Sequence, residues 1–151
     1  MGLFDAIGIA GSGLTAQRIR MDVTSENLAN ADTTKGAGGQ PYQRQEVELG
    51  EVGAAGGFSG ALSGAIAQVG GAQPAGGVQV TGIVADATPD QQVYDPGNPD
   101  ANKQGYVSMP NVDTVTEMVD MMGAQRAYEA DVAATQAIKG VAQQAISIGK
   151  A

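Results

Sequence analysis

Gly11-Ser12-Gly13-Leu14-Thr15-Ala16 fits the G-x-G-x-x-A pattern of a dinucleotide-binding turn, and Asp32 lies about where an acid would hold a ribose hydroxyl. That chemistry needs the glycines between a strand and a helix, and the acid at the end of a second strand. Here the residues before Gly11 are too glycine-rich for a firm strand, and Asp22 to Asn30 is polar with helical spacing, so the context fails. Asn98, Asp100 and Asn102 stand two apart as in a calcium loop, but Met109 occupies the place of the closing bidentate Glu, which favours a solvated turn. Asp113, Glu117 and Asp120 share one helical face, and near a helix start the dipole accounts for them without catalysis. Arg126 and Glu129, three apart around Tyr128, suit a surface or interface pair. With no His and no Cys, the chain lacks the commonest general base, the commonest transition-metal ligand, thiolate chemistry and disulfides. No catalytic, cofactor-binding or metal-binding residue is assigned.

The elements that must position the remaining residues are helices at both ends. Asn111 to Ile148 contains no Pro and opens with Thr114-Val115-Thr116-Glu117, a capping-box pattern. Val115, Met118, Val119 and Met122, then Ala127, Ala130, Ala134, Ile138, Val141, Ala145 and Ile148, recur at helical spacing. Acidic residues come early and Lys139 and Lys150 late, the polarity a helix dipole favours. Gly123 and Gly140 each weaken the run by about 1 kcal/mol against Ala. One helix of about 50 Å follows. A compact chain of this size has a radius of gyration of only about 15 Å, so the helix overhangs and its alanine stripe asks for a close helical neighbour.

Residues 3 to 30 carry a second helical pattern. Ile7, Leu14, Met21 and Leu28 repeat every seven residues, while Gln17 and Thr24 place polar groups in the same seam and Gly8, Gly11 and Gly13 lower its stability. The pattern suits an amphipathic core helix of a small bundle that needs partners to form. Asn27 and Asn30, followed by Asp32-Thr33-Thr34, read as a helix C-cap and turn. Between the helices glycine clusters interrupt the chain. Arg44 to Val52, Val78 to Ala85, Val93-Tyr94 and Gly105 to Met109 read as strands, and Asp95 to Asp100 as a turn. Phe58 to Val69 reads as a weak helix or a flexible linker, and the spacing of Gly56, Gly60 and Gly64 as noise.

Composition narrows the function classes. Eight Lys and Arg against sixteen Asp and Glu give −8, which disfavours nucleic acid and anionic membrane surfaces. No Trp and 23 Gly imply a thin core, of one domain or of a stalk with a small insert. The first cation is Arg18, so no secretory signal peptide is expected, and no run is long enough to span a membrane.

Two stretches carry more than pattern. Leu14-Thr15-Ala16-Gln17-Arg18, followed by Met21 through Thr34, resembles the N-terminal signature of bacterial flagellar rod and hook proteins. Gly105 through Asp113, with Glu117-Met118-Val119-Asp120-Met121 and Arg126-Ala127-Tyr128-Glu129-Ala130, resembles the matching C-terminal signature. Ser-Glu-Asn-Leu-Ala-Asn and Tyr-Val-Ser-Met-Pro-Asn-Val point, within that family, to a proximal-rod member. Asp131 departs from the usual Asn, Gly123 and Ala124 fall inside the family's helix, and the middle matches least beyond the Gly-Gly-x-Pro-Tyr-x-Arg run ending at Arg44.

The resemblance implies an α+β fold in which the terminal helices pack antiparallel as a coiled-coil-like stalk. Residues 1–35 and 108–151 would form the inner-tube domain and 36–107 a Gly-rich, β-containing insert. It implies a structural subunit, not an enzyme, assembling helically around the export channel and helping to transmit torque. The implied partners are further copies, the other rod proteins FlgB, FlgF, FlgG and FliE, and the flagellar type III export apparatus, with no nucleic acid, small-molecule substrate or cofactor. Subunits of this family lie outside the cytoplasmic membrane and are exported without a cleaved signal. Interface contacts are expected from Ile7, Leu14, Met21, Leu28, Met118, Met122, Ile138, Val141 and Ile148, and polar contacts from Gln17, Arg18, Asn27, Asn30, Gln125, Arg126 and Tyr128. A narrow, glycine-weakened N-terminal helix suits a segment that travels unfolded and orders on assembly. Two alternatives stand beside this reading: another flagellar axial component, and a small nucleotide-binding domain.

Overall fold

The computed structural model describes residues 3–36, 38–52 and 76–149. In chain order these form α1 (Leu3–Ala29), β1 (Gln45–Glu51), β2 (Val78–Ala85), β3 (Gln91–Tyr94), β4 (Tyr106–Met109) and α2 (Thr114–Ile148). The organisation is α+β, with helices at the two ends and short strands between them. The readings of Phe58 to Val69, and of the Gly56, Gly60 and Gly64 spacing, lie outside the described residues.

The described residues form two sheets of two strands each, β1 with β2 and β3 with β4. Val78, Val80 and Val84 supply the period-two alternation that a pleated strand requires of β2. In the first sheet Asp86 donates its N–H to the Arg44 carbonyl and Val52 donates to that of Gly77, an antiparallel sense. In the second, Gln91 faces Met109, Val93 faces Val107 and Tyr94 faces Tyr106. The turn between β3 and β4 is built from Asx side chains. Asp95 Oδ1 accepts the Gly97 N–H, Asn98 Oδ1 that of Asp100, and Asn102 Oδ1 those of Gln104 and Tyr106. Gly105 closes it at φ +83°, where a Cβ would also meet the Tyr94 ring. The spacing that resembled a calcium loop is thus the framework of this turn.

The rejection of a dinucleotide turn is upheld, and three other local expectations are corrected. Gly11 to Ala16 lies inside α1, where Ser12 and Thr15 hydroxyls donate back to the Ile9 and Gly11 carbonyls, so it is no strand-to-helix turn for a dinucleotide. The N-cap of α2 is Asp113, not Thr114. Its Oδ1 accepts the Val115 N–H at 2.9 Å and that of Thr116 at 3.4 Å, while the Glu117 carboxylate turns inward toward a cation instead of completing a capping box. Glu129 accepts from Gln125 one turn earlier and not from Arg126. The last turn of α2 holds no basic residue, so Lys139 does not complement the dipole there.

The chain forms two compact units. One draws on the described parts of residues 1–19, 48–82 and 125–151. In it the Val78 N–H donates to Ser12 Oγ at 3.0 Å, and Gly13 lies so close to Asp131 that a Cβ there would stand 2.7 Å from its carboxylate. The other unit draws on 20–47 and 83–124, and its core is small: Val23, Ala31, Val107, Val112 and Ala124, with Thr24, Asn27 and Glu117 buried among them. The face of α1 that is buried is therefore offset from the seven-residue seam. Ala16, Val23, Thr24 and Asn27 are buried, whereas Ile7 is exposed and Leu14, Met21 and Leu28 are half-buried.

Candidate functional site: a polar junction at the helix ends

Asn27, near the C-terminal end of α1, is 1% exposed and uses its whole amide. Its Nδ2 donates to the Gln45 carbonyl at 2.8 Å and to Glu117 Oε2 at 3.0 Å. Its Oδ1 accepts the Gln45 N–H and the Tyr42 hydroxyl, each at 2.9 Å. The side chain thereby pairs with both main-chain groups of the first residue of β1, as the backbone of a neighbouring strand would. Asn is the residue that does this, because it carries two donors and an acceptor with two lone pairs on a short, planar group.

Glu117, in the first turn of α2, is also 1% exposed, and a buried carboxylate needs both charge and hydrogen bonds to compensate its lost hydration. Arg44 supplies the charge through Nε, 2.6 Å from Glu117 Oε1, and Asn27 supplies the second bond. The outer part of the guanidinium faces three further carboxylates: Asp86 at 3.4 Å, Asp120 at 3.7 Å and Glu46 at 3.9 Å. Asn111, just before α2, binds the chain on either side of this centre. Its Oδ1 accepts the Arg44 N–H at 2.9 Å and its Nδ2 donates to the Thr88 carbonyl at 3.1 Å. A smaller bridge in the same unit joins Thr34 and Lys35 to Asp100.

The electrostatics are those of a support and not of a reaction centre. The bond to Glu117 holds the Arg44 guanidinium still more firmly protonated than usual. Burial, then the Glu26 and Glu117 carboxylates, push the Tyr42 hydroxyl above its ordinary range. Thr88 holds the Asp86 carboxyl below the usual carboxylate range, with Arg44 adding to it, and Lys35 and Thr34 do the same for Asp100. These shifts carry each group further from neutral pH, the reverse of what general acid–base catalysis requires.

Among the residues singled out from sequence, Asn27 is the one at the centre of this junction. Asn30 instead caps the end of α1, its amide donating to the Glu26 carbonyl at 2.9 Å. Arg18 and Arg126 are exposed, Tyr128 and Ile138 half-buried, and the Gln17 Oε1 is buried with no hydrogen-bond partner among the described residues. Met118 and Met122 lie with Val115 and Val119 on a face of α2 that is between 51% and 69% exposed, and Val141 and Ile148 are exposed farther along. Tyr42, Arg44, Asn111 and Glu117 were not expected as site residues. Tyr42 and Arg44 lie in the Gly-Gly-x-Pro-Tyr-x-Arg run, and Asn111 and Glu117 in the C-terminal signature stretches.

Comparison with known proteins places these segments in a family. The family model described as Flagella basal body rod protein matches residues 7–37, and that described as Flagellar basal body rod FlgEFG protein C-terminal matches 103–148. The chain is similar to the flagellar basal-body rod protein FlgC of Bacillus subtilis strain 168, with 46% identity over 99% of this chain and 100% of that one. The chain belongs to the FlgC family. FlgC of Escherichia coli O157:H7 is 41% identical over 99% of this chain and all of its own length, and FlgC of Borreliella burgdorferi 40% identical over 98% of each. In this FlgC-family chain, Asn27 falls in the first matched segment and Asn111 and Glu117 in the second. Tyr42 and Arg44 lie between the matched segments, so the junction is where a residue pair from the intervening chain joins them.

Proposed function

We propose that this chain is a structural subunit of the flagellar basal-body rod, sited in its proximal part, with no enzymatic activity. The observation that carries the reading is similarity to FlgC at 46% identity along essentially the whole of both chains. Full-length coverage favours it over another axial component, and the helical setting of Gly11 to Ala16 removes the support for a nucleotide-binding domain.

In this reading the terminal helices run antiparallel, with residues 1–35 and 108–151 forming an inner-tube domain and 36–107 a central insert. One contact within each unit supports it: Asn27 with Glu117, and Gly13 beside Asp131. Subunits assemble helically around the export channel and help to transmit torque. The stripe of Val115, Met118, Val119 and Met122 is apolar surface that a neighbour would cover, and 15 large apolar residues are exposed among the described residues, more than a thin-cored monomer needs. Ile7, Leu14, Met21, Leu28, Ile138, Val141 and Ile148 extend the contact, and Gln17, Arg18, Asn30, Gln125, Arg126 and Tyr128 add polar contacts. The partners are further copies and FlgB, FlgF, FlgG and FliE. No described helix is long and apolar enough to cross a membrane. The subunit passes through the flagellar type III apparatus without a cleaved signal and works outside the cytoplasmic membrane, in the periplasm or cell-wall space.

The test is complementation of a strain lacking this chain, with swimming and the composition of purified basal bodies as readouts. The wild-type chain is expected to restore both and to copurify with rods. Restored swimming with the chain absent from purified rods would overturn the reading.

A further inference from the structure

Gly11-Ser12-Gly13, the start of the pattern that resembles a dinucleotide turn, serves close packing instead. Positions 12 and 13 are successive on α1, so they point about 100° apart around the helix. Each receives a different neighbour. On one side the Ser12 hydroxyl donates to the Ile9 carbonyl at 2.7 Å and accepts the Val78 N–H at 3.0 Å. Gly77 beside it is buried, and a Cβ there would stand 2.9 Å from Ser12 Oγ. The Gly77 carbonyl in turn accepts the Val52 N–H at 2.7 Å, so this point ties α1 to the start of β2 and to the residue that follows β1. On the other side α2 comes so near Gly13 that a Cβ would meet the Asp131 carboxylate. Gly11 has open space around it. All of these residues belong to one compact unit.

We propose that this turn is a docking seat that links helix formation in α1 to the placing of β2 and α2. The seat exists only when residues 9–13 are helical, because a single hydroxyl then spans the Ile9 carbonyl and the Val78 N–H. By itself the turn is a weak helix, since two glycines lower its propensity and a serine that bonds back along the helix lowers it further. Docking and helix formation therefore favour each other, and by the same free energy, because coupling is reciprocal. An N-terminal segment that travels unfolded and orders on assembly carries the start of β2 into place as it does so. The inference rests on the reading of the chain as a rod subunit.

The chain has no Cys, so an introduced thiol pair reports the seat directly. In Ser12→Cys with Gly77→Cys the two Cβ positions are 3.6 Å apart, which suits a disulfide. Basal bodies carrying this variant and the free subunit are oxidised mildly and compared on non-reducing gels. A disulfide within one chain is expected in rods. It should form about tenfold or more faster there than in the free subunit, where the thiols meet only by closing a long flexible loop. Equal rates in the two states would overturn the proposal, as would rods that contain the variant with both thiols free, or a disulfide joining two chains. Absence of the wild-type chain from purified rods is a distinct result, and it would overturn the rod reading itself. Ser12→Thr and Ser12→Val share a shape and differ in the hydroxyl, and they decide the matter even where the thiol pair does not assemble. The Thr variant is expected to swim like the wild type and the Val variant at less than about half its rate. Equal swimming of the two would sink the seat.

Discussion

Arg44 Nε stands 2.6 Å from Glu117 Oε1, joining residues 73 positions apart, and Glu117 is buried where Arg44 is not wholly so. Removing the carboxylate with Glu117→Ala takes away the nearest partner of the guanidinium and leaves one Asn27 donor unmet. A loss of about 2–4 kcal/mol in unfolding free energy is expected. Arg44→Met with Glu117→Leu should cost less than the two single changes added together, because the pair leaves as a unit. Urea denaturation of the four proteins measures this, and strict additivity would deny the coupling.

Asn27→Asp tests the donors specifically. The change keeps shape and acceptors but sets a second carboxylate against Glu117, 3.0 Å from where the amide nitrogen stood. The variant should be destabilised more at pH 7 than at pH 5, since protonating one carboxyl relieves the repulsion and restores a donor. Asn27→Ala should show no such difference between the two pH values.

The pH dependence of the wild-type chain follows from the shifted groups. Asp86, Asp100 and Asp113 are held below the usual carboxylate range, chiefly by Thr88, by Lys35 and by the Val115 N–H. The unfolded chain then binds more protons than the folded one in the acid window. Their contribution is complete above about pH 4 and fades as pH falls through the depressed values. Tyr42 works in the opposite sense. Its hydroxyl is raised, so its contribution is complete below about pH 10 and is lost as pH climbs through the folded value. Denaturation midpoints across pH should show a plateau with both flanks. Thr88→Ala should shallow the acid flank and Tyr42→Phe remove the tyrosine part of the alkaline one.

Gly105→Ala should cost about 1–3 kcal/mol. Its backbone sits at φ +83°, and the new Cβ would lie 2.8 Å from Tyr94 Cε2 and 3.3 Å from Pro96 Cβ. Tyr94 and Tyr106 now meet edge to face with centroids 5.3 Å apart, so near-ultraviolet circular dichroism reports the displacement directly.

Val119→Asp separates stability from assembly. The side chain is 57% exposed, so the purified monomer should change by no more than about 0.5 kcal/mol. In cells the same change should abolish swimming while the protein is still made. A swimming Val119→Asp strain would remove this stripe from the subunit contacts.

Much of the architecture was written locally. The alternation of Val78, Val80 and Val84 marked β2 to its boundaries, and the Pro-free apolar repeat marked α2 to within three residues of its start. The paired signatures at the two ends identified the family. The junction was not legible, because nothing near Glu117 distinguishes a carboxylate that complements a helix dipole from one that turns inward to an arginine 73 positions earlier. Asn27 likewise satisfies every local rule for a helix cap, and its neighbour Asn30 does serve as one. The buried face of α1 was displaced from the seven-residue repeat for a related reason. Periodicity counts methyl groups, and here the group most deeply buried on the helix is an amide.

The way Asn27 grips Gln45 has one more effect. The outer edge of a two-stranded sheet offers free N–H and C=O groups to any extended chain that comes near. At Gln45 those groups are already taken by a helix side chain that cannot itself be extended into another strand. Position 27 thus withholds the Gln45 main-chain groups from pairing with any other extended segment.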